Sequence, residues 1–340
     1  MSITYHERPG VYSDYSASRV SASGGEKKVM AVVGVADVKA GLYTVTSAAD
    51  AAAFGGNLAK MLALAYENGA GTVLVYCVED DSVDSYTAAF RAVLTEKIAK
   101  ICCVDSGRED VQLALRDEIL AAAGQKGECI GIVCMDAPSK AGLLARAAAL
   151  DCQRMILVGP GVYPAGQNAA AALAGLLAAE TDPALPLNGA SLAGLSGVTE
   201  RYEDTDIDAL VRGGVTVLEA SAGTVSVLRG ITTSQTVGEG KDTTWRELTT
   251  VLIADDVIPG IRQALAARFK RAKNNAVTRS AIHALVVMEL ESRLGREIID
   301  SYENVTVEAS DTDACVCLVK FGFTVTHGLN RIHLTAHISV

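Results

Sequence analysis

The chain reads as an α/β protein: a mostly parallel sheet covered by helices, followed by an α+β C-terminal domain, with extended arms at both termini. Three observations predict this. Between residues 29 and about 180, short apolar runs alternate with helical patterns. The strand runs are apolar on both faces, as in a sheet with helices on each side. Beyond residue 245 the pattern changes to helices and then strands, closing in a strict period-two alternation.

Residues 1–28 read as an arm and linker. Ile3, Tyr5, Pro9 and Val11 fall at alternate positions of an extended segment, and Ser16–Lys28 is polar and small-residue-rich, with Gly24-Gly25 inside it. Val29–Gly34 is the first buried strand. Then come a helix over Asn57–Asn68 closed by Gly69, a strand over Thr72–Val78, a helix within Ser82–Ile98 and a strand over Ile101–Val104. Arg108–Ala123 is a helix stopped by Gly124. A strand over Cys129–Met135, a helix over Ser139–Leu150, a strand over Met155–Val158 and a helix over Asn168–Ala179 complete the alternation.

Thr181–Gly189 is a proline-punctuated loop. Thr216–Glu219 and Val225–Leu228 form a hairpin around Ser221-Ala222-Gly223, and Ser234–Lys241 is a polar loop. From 245 to 293 the pattern is helical, with Pro259 marking a kink or a helix start and a second helix over Ala281–Leu294. Strands follow at Asn304–Glu308, Ala314–Val325 and Leu329–Val340. These segments divide into an arm (1–28), an α/β domain (29–240), a C-terminal α+β domain (241–328) and a terminal arm strand (329–340).

The last strand is the clearest pattern. Ile332, Leu334, Ala336, Ile338 and Val340 alternate with Arg331, His333, Thr335, His337 and Ser339. Two readings fit: an edge strand of the chain's own sheet, or a strand donated to a neighbour. Ordering a ten-residue arm costs about 10–20 kcal/mol of backbone entropy. Five or six ladder bonds at about 0.5–1.5 kcal/mol each and four apolar side chains at about 1.5–3 kcal/mol each come close to offsetting it. One donated arm is therefore near break-even, and assembly through arms is expected to be cooperative.

Composition narrows the function classes. The 340 residues are 49% hydrophobic and 21% charged, an ordinary globular balance, and only 5% aromatic. A formal net charge of -10 argues against general nucleic-acid binding. No apolar run is long enough to span a membrane, and the start lacks a signal-peptide pattern. Eight cysteines lie mostly in apolar segments without a Cys-x-x-Cys, which suits free buried thiols.

Catalytic patterns are weak. Gly159–Gly166 sits between a strand and a helix, where a nucleotide loop would lie, but its spacing is wrong and Pro160 and Pro164 lack N–H donors. Gly189–Gly194 misses the nucleophile-elbow spacing by one residue. Of five histidines, His283 lies in an apolar helix and reads as a satisfied core residue. His327, His333 and His337, with Cys315 and Cys317, offer zinc-binding residue types, yet each is explained by its strand pattern. Neither catalytic nor metal residues nor a cofactor are expected. Arg262, Arg268, Lys270, Arg271 and Lys273 form a basic cluster on and after a helix, either a solvated face or a contact for an acidic partner. A doubly wound enzyme with a small-molecule ligand near 159–166 remains the alternative on fold class alone.

Several short motifs, in order, carry a resemblance. They are Glu7-Arg8-Pro9-Gly10-Val11-Tyr12, Ala174-Gly175-Leu176-Leu177-Ala178, Asp182-Pro183 and Pro186-Leu187-Asn188-Gly189. Further on come Val227–Thr233, Trp245-Arg246-Glu247-Leu248, Ile253-Ala254-Asp255-Asp256-Val257, Phe269, Lys273-Asn274-Asn275 and Gly328-Leu329-Asn330-Arg331-Ile332. Together they resemble the contractile sheath proteins of phage tails and phage-tail-like particles.

The resemblance implies a non-enzymatic structural subunit without cofactor, whose α/β domain is likened to subtilisin in name only. Subunits would stack as rings into a helical homopolymer around an inner tail tube protein, meeting baseplate and terminator proteins. Assembly would occur in a bacterial host cytoplasm, for a virion tail or a released particle. Arms would be exchanged between subunits, through Ile3, Tyr5, Val11 and Tyr12 at one end and Ile332, Leu334, Ile338 and Val340 at the other. Lys270, Arg271 and Lys273 would face the tube. Contraction would be a rigid-body rearrangement of subunits.

Overall fold

A computed structural model of the protein describes residues 27–136, 138–235, 243–330 and 332–337. β1 (Met30–Val35) and β2 (Gly41–Val45) lead through α1 (Ala48–Ala51) and a single 3₁₀ turn into α2 (Gly56–Glu67). Strand and helix then alternate: β3 (Val73–Val78), α3 (Val83–Thr95), β4 (Ile101–Val104), α4 (Glu109–Gly124), β5 (Ile130–Cys134), α5 (Lys140–Leu150) and β6 (Met155–Gly159). After them come β7 (Val162–Tyr163), α6 (Ala169–Ala179), β8 (Ser191–Leu192), β9 (Gly197–Val198), α7 (Asp204–Arg212) and the hairpin β10 (Val215–Ser221) and β11 (Thr224–Val227). α8 (Leu248–Phe269), α9 (Ala276–Gly295), β12 (Ile299–Ala309) and β13 (Cys317–Val325) complete the described elements.

Local chemistry sets several of these boundaries. Ser82, Ser139 and Asn168 cap α3, α5 and α6 by accepting hydrogen bonds from Ser85, Gly142 and Ala171 N–H. Gly69, with φ +95°, turns the chain beyond α2 in the left-handed region that glycine adopts without cost.

Nine strands form one sheet in the order β2-β3-β1-β4-β5-β6-β10-β11-β8. The six from β3 to β10 are mutually parallel; β2 and β11 run antiparallel to them at the two margins, and β8 pairs antiparallel with β11. Helices cover both faces, so inner strands are buried on both sides. Met30, Val32, Val75 and Ile132 pack with α2 and α6 on one face. Ala31, Val33, Val133 and Leu157 pack with α3, α4 and α5 on the other.

A third core lies C-terminal. Ile253, Val257 and Ile261 of α8 meet Ile282, Val286 and Leu290 of α9, and β12 and β13 lay Val305, Val307, Val319 and Phe321 on them. The first turn of α8 instead puts Leu248 and Val251 into the sheet core. One helix therefore contributes to both cores.

The structure differs from the sequence reading at several points, and the edge strand β2 and the short α1 are among the elements it adds. α8 runs unbroken through Pro259, because packing on two cores holds both halves. α9 begins five residues earlier than predicted, at an Asn275 cap that accepts from Thr278 N–H at 2.9 Å. The stretch between 190 and 214, left without elements, holds β8, β9 and the amphipathic α7. Lastly, residues 326–330 and 332–337 adopt no strand, since no sheet edge among the described residues receives them.

Candidate functional site

Among the described residues, several of the motifs singled out along the sequence make contacts where the C-terminal part seats on the sheet. Arg229–Thr233 runs beside Trp245–Leu248: Thr232 N–H donates to Arg246 O at 2.9 Å, Thr232 Oγ1 to Trp245 O at 2.7 Å, and Arg229 pairs with Glu247. Thr233, fully buried, donates through Oγ1 to Cys152 O at 3.0 Å and accepts from Cys152 N–H at 3.1 Å, which ties the segment to β6.

The two aspartates of α8 have separate partners. Asp255 takes both Arg154 Nη1 and Nη2, at 2.7 and 2.8 Å, from the turn before β6. Asp256 takes Arg293 Nε of α9 at 2.9 Å. About two turns on from Asp255, Arg262 Nη1 donates to Glu128 at 2.8 Å. Burial works to raise the Glu128 carboxyl, but the hydrogen bond from Arg262, a backbone N–H and Lys100 outweigh it and hold the group below its usual range. Arg262 thus leaves the basic cluster in which the sequence placed it and belongs to this junction.

The surface suited to assembly lies on the C-terminal part. β12 and β13 make a separate two-stranded antiparallel ribbon, with register shifts between Ile299 and Ser301 and between Glu303 and Thr306. One face packs on α9, where Phe321 and Phe323 stack with centroids 6.3 Å apart. Among the described residues neither outer edge of the ribbon is paired. The chain then leaves the ribbon as an apolar, unpaired segment: Leu329, Ile332 and Leu334 are 72%, 79% and 91% exposed. Ile338 and Val340 lie outside the described residues, as do Ile3, Tyr5, Val11 and Tyr12 of the N-terminal arm.

Lys270 caps α8, and Arg271 and Lys273 follow in the connection to α9, all exposed together with Arg268. Among the described residues they form no ion pair. Asn274 pins this connection to the ribbon turn by donating to Ala314 O at 2.8 Å and Val316 O at 3.1 Å, and it accepts from Arg279 at 2.9 Å. The Lys273-Asn274-Asn275 motif therefore presents its cations from a fixed loop, which the residue pattern alone did not disclose.

The other predicted sites separate. A cavity of about 240 Å³ does lie at the carboxyl ends of β4–β6, lined by Gly161, Gly166, Asp105, Asp136, Asn57 and Asn168. Asp105 accepts from Val35 N–H at 2.9 Å and Tyr86 Oη at 2.6 Å, and burial pushes its carboxyl up. Asn168 is occupied in capping α6. Two carboxylates facing this space oppose a phosphate. His283 is exposed on α9 and not in the core, because the buried stripe of that helix runs through Ile282, Val286 and Leu290.

Among the described residues no group of histidine, cysteine and carboxylate side chains comes together as a metal site. All eight cysteines are free, five of them buried, while Cys315 at the ribbon turn is exposed. Burial pushes the Cys77 and Cys134 thiols up to about 11. No helix among the described residues is long and apolar enough to cross a membrane.

Residues 82–233 match the phage tail sheath protein central domain, and residues 240–339 match the phage tail sheath C-terminal domain. A curated relative, the tail sheath protein of Bacillus phage SP01, is 28% identical over 233 residues, covering 65% of this chain and 38% of that protein's length. The chain thus matches well under half of that relative.

Among solved structures, the helical sheath of the anti-feeding prophage in its contracted state superposes with a TM-score of 0.74 at 18% identity, covering 98% of this chain and 99% of that one. The sheath tail protein of Listeria innocua gives 0.71 at 14% identity, covering 89% and 93%. That of Desulfitobacterium hafniense gives 0.69 at 12% identity, covering 93% and 100%. At these identities the superpositions establish the shared fold, and the two domain matches in tandem supply the family. The chain belongs to the contractile tail sheath proteins.

Proposed function

We propose that the protein polymerises helically around an inner tail tube and contracts by rigid-body rearrangement of its subunits, driving the tube through a cell envelope. One observation supports this best. Among the described residues, the C-terminal part offers a ribbon with two open edges, and Leu329, Ile332 and Leu334 lie in a segment that pairs with neither. Open edges and an unpaired alternating segment are the two halves of β-augmentation. Placed on different subunits, they satisfy each other: the arm's N–H and C=O groups complete a ladder, and Leu329, Ile332 and Leu334 leave water. The N-terminal residues Ile3, Tyr5, Val11 and Tyr12 would supply a second donated segment.

The inner tube is met by Lys270, Arg271 and Lys273, a group of cations unneutralised among the described residues, on a chain whose net charge is -10. Such a group steers toward an acidic surface and is released again without a large desolvation cost. The sheath ends would be met by baseplate and terminator proteins; one chain of the anti-feeding prophage baseplate structure superposes on this one with a TM-score of 0.73 at 16% identity. The domain division drawn from the sequence, with breaks near 28, 240 and 328, would set the arms apart from the body they link. The particle would be assembled in a bacterial cytoplasm as part of a tail or tail-like particle.

Deletion of residues 331–340 tests the proposal. The truncated chain is expected to stay folded and soluble but to form no sheath-like tubes in electron micrographs. Normal tubes from that truncation would refute arm donation.

A further inference from the structure

The point at which the C-terminal arm leaves the body is built, and two of the sequence motifs build it. Gly328 lies against Pro186: a Cβ on Gly328 would stand 2.8 Å from Pro186 Cβ and 3.1 Å from its Cγ, and the proline ring cannot swing away. Two residues on, Asn188 Nδ2 donates to Asn330 Oδ1 at 2.7 Å. The loop that makes these contacts is itself fixed. Gly189 N–H donates to Val227 O at 2.8 Å, and Val227 N–H returns a bond to Ala190 O at 2.9 Å. Leu187 is buried beneath Gly230, and Ala184 is in the C-terminal core. Between loop, α8 and arm root remains a cavity of about 30 Å³.

We propose that Pro186 and Asn188 form a clamp that sets the direction in which the C-terminal arm departs, and that Gly328 and Asn330 are the residues held by it. The proposal rests on the arm being donated to a neighbour. An arm that leaves a rigid body in one direction samples far fewer orientations than a free tail. Its effective concentration at the neighbour's ribbon edge is correspondingly higher. The break-even energetics of a single donated arm make that gain decisive for assembly. Gly328 serves by lacking a Cβ, and its backbone needs no left-handed conformation.

The test uses full-length chains, measured side by side by sedimentation and electron microscopy, with circular dichroism to follow folding. Gly328→Ala is expected to lower polymer yield about tenfold, the scale of one overpacked contact. Pro186→Gly, which removes one jaw, should lower it as well, and adding Gly328→Ala to Pro186→Gly should cause little further loss, because the two residues act through one contact. Parent-like assembly of Gly328→Ala or of Pro186→Gly, or losses that simply add in the double variant, overturns the clamp. If Gly328→Ala does not fold, the exposed pair Asn188→Ala with Asn330→Ala decides: reduced polymer supports the clamp and unchanged polymer overturns it. Deletion of 331–340 separates the two ideas. If the deletion abolishes polymer while the point variants assemble normally, the clamp falls and arm donation stands. If the deletion assembles like the parent, donation falls and the clamp with it.

Discussion

Arg154 and Asp255 meet through two parallel hydrogen bonds of 2.7 and 2.8 Å, joining the turn before β6 to the middle of α8. The two side chains are 15% and 20% exposed, so the pair is largely withdrawn from water. A fork-to-fork guanidinium–carboxylate contact fixes angle as well as distance. With Arg262–Glu128 about two turns further along α8, it fixes the helix against the sheet at two points.

Replacing Arg154 with Met strands the Asp255 carboxylate in a site built for a cation. The expected loss is about 2–5 kcal/mol in urea unfolding. Arg154→Met with Asp255→Leu should regain most of it, because no buried charge is then left unpaired. Equal losses from the single and double variants would show that packing, not charge, sets the cost.

Glu128 gives the junction a pH dependence with a definite sign. Its folded pKa lies below the unfolded value, so its contribution is present above the unfolded pKa, about 4.3. It is lost as pH falls from there through the folded pKa. Glu128→Gln should therefore be less stable than the parent at neutral pH, and the gap should close in acid. Thermal melts between pH 7 and pH 3 check this.

Asp105 carries the opposite sign. Burial raises its folded pKa, so the ionised form costs stability at neutral pH, and the cost is relieved as pH falls through the folded value. Asp105→Asn keeps an oxygen for Val35 N–H and is expected to raise the neutral-pH melting temperature, with the advantage shrinking in acid. A lower melting temperature at every pH would mean that the bond from Tyr86 to the carboxylate outweighs its desolvation.

Gly175 sits where α6 crosses α2. A Cβ there would lie 2.9 Å from both Cα and the carbonyl carbon of Ala65. Helix propensity alone favours alanine by about 1 kcal/mol. The contact is nevertheless expected to reverse the sign and destabilise Gly175→Ala by about 1–3 kcal/mol in denaturant unfolding.

Lys270, Arg271 and Lys273 changed together to Glu should leave the melting temperature near that of the parent, since none is buried or paired among the described residues. The same variant should fail to assemble on purified tubes while still forming tubeless polymers. Normal extended particles would remove these residues from the tube contact.

Much of the fold was legible because its strands are short, continuous and apolar. Val29–Gly34 and Ile101–Val104 have no surface to alternate against, so they read as sheet interior, and β1 and β4 lie at its centre. β2 escaped notice because an edge strand with exposed Leu42 and small residues has no such run. Pro259 left a helix start open because proline is a local signal, while the two cores that keep α8 continuous come from residues far away in sequence. His283 misled for a related reason: the helix looks apolar in one dimension, and only its phase decides which residues face out. The short motifs were visible, but their partners were not. Nothing in Pro186–Gly189 announces Gly328, and nothing in Asp255 announces Arg154, because each contact spans over a hundred residues.

The unpaired ribbon bears on the shape of the polymer as a whole. If the segment is donated as proposed, donor segment and acceptor edge are different surfaces, and a union that passes from each subunit to the next is head-to-tail, unlike the self-complementary contact of a two-fold pair. A stack joined this way has a polarity. At one end the last ring shows open edges with nothing laid on them; at the other, the last ring's segments reach past the stack with nothing to lie on. Growth can be started by whatever presents an edge and stopped by whatever fills one, so two different caps can tell the ends apart by backbone hydrogen bonding alone.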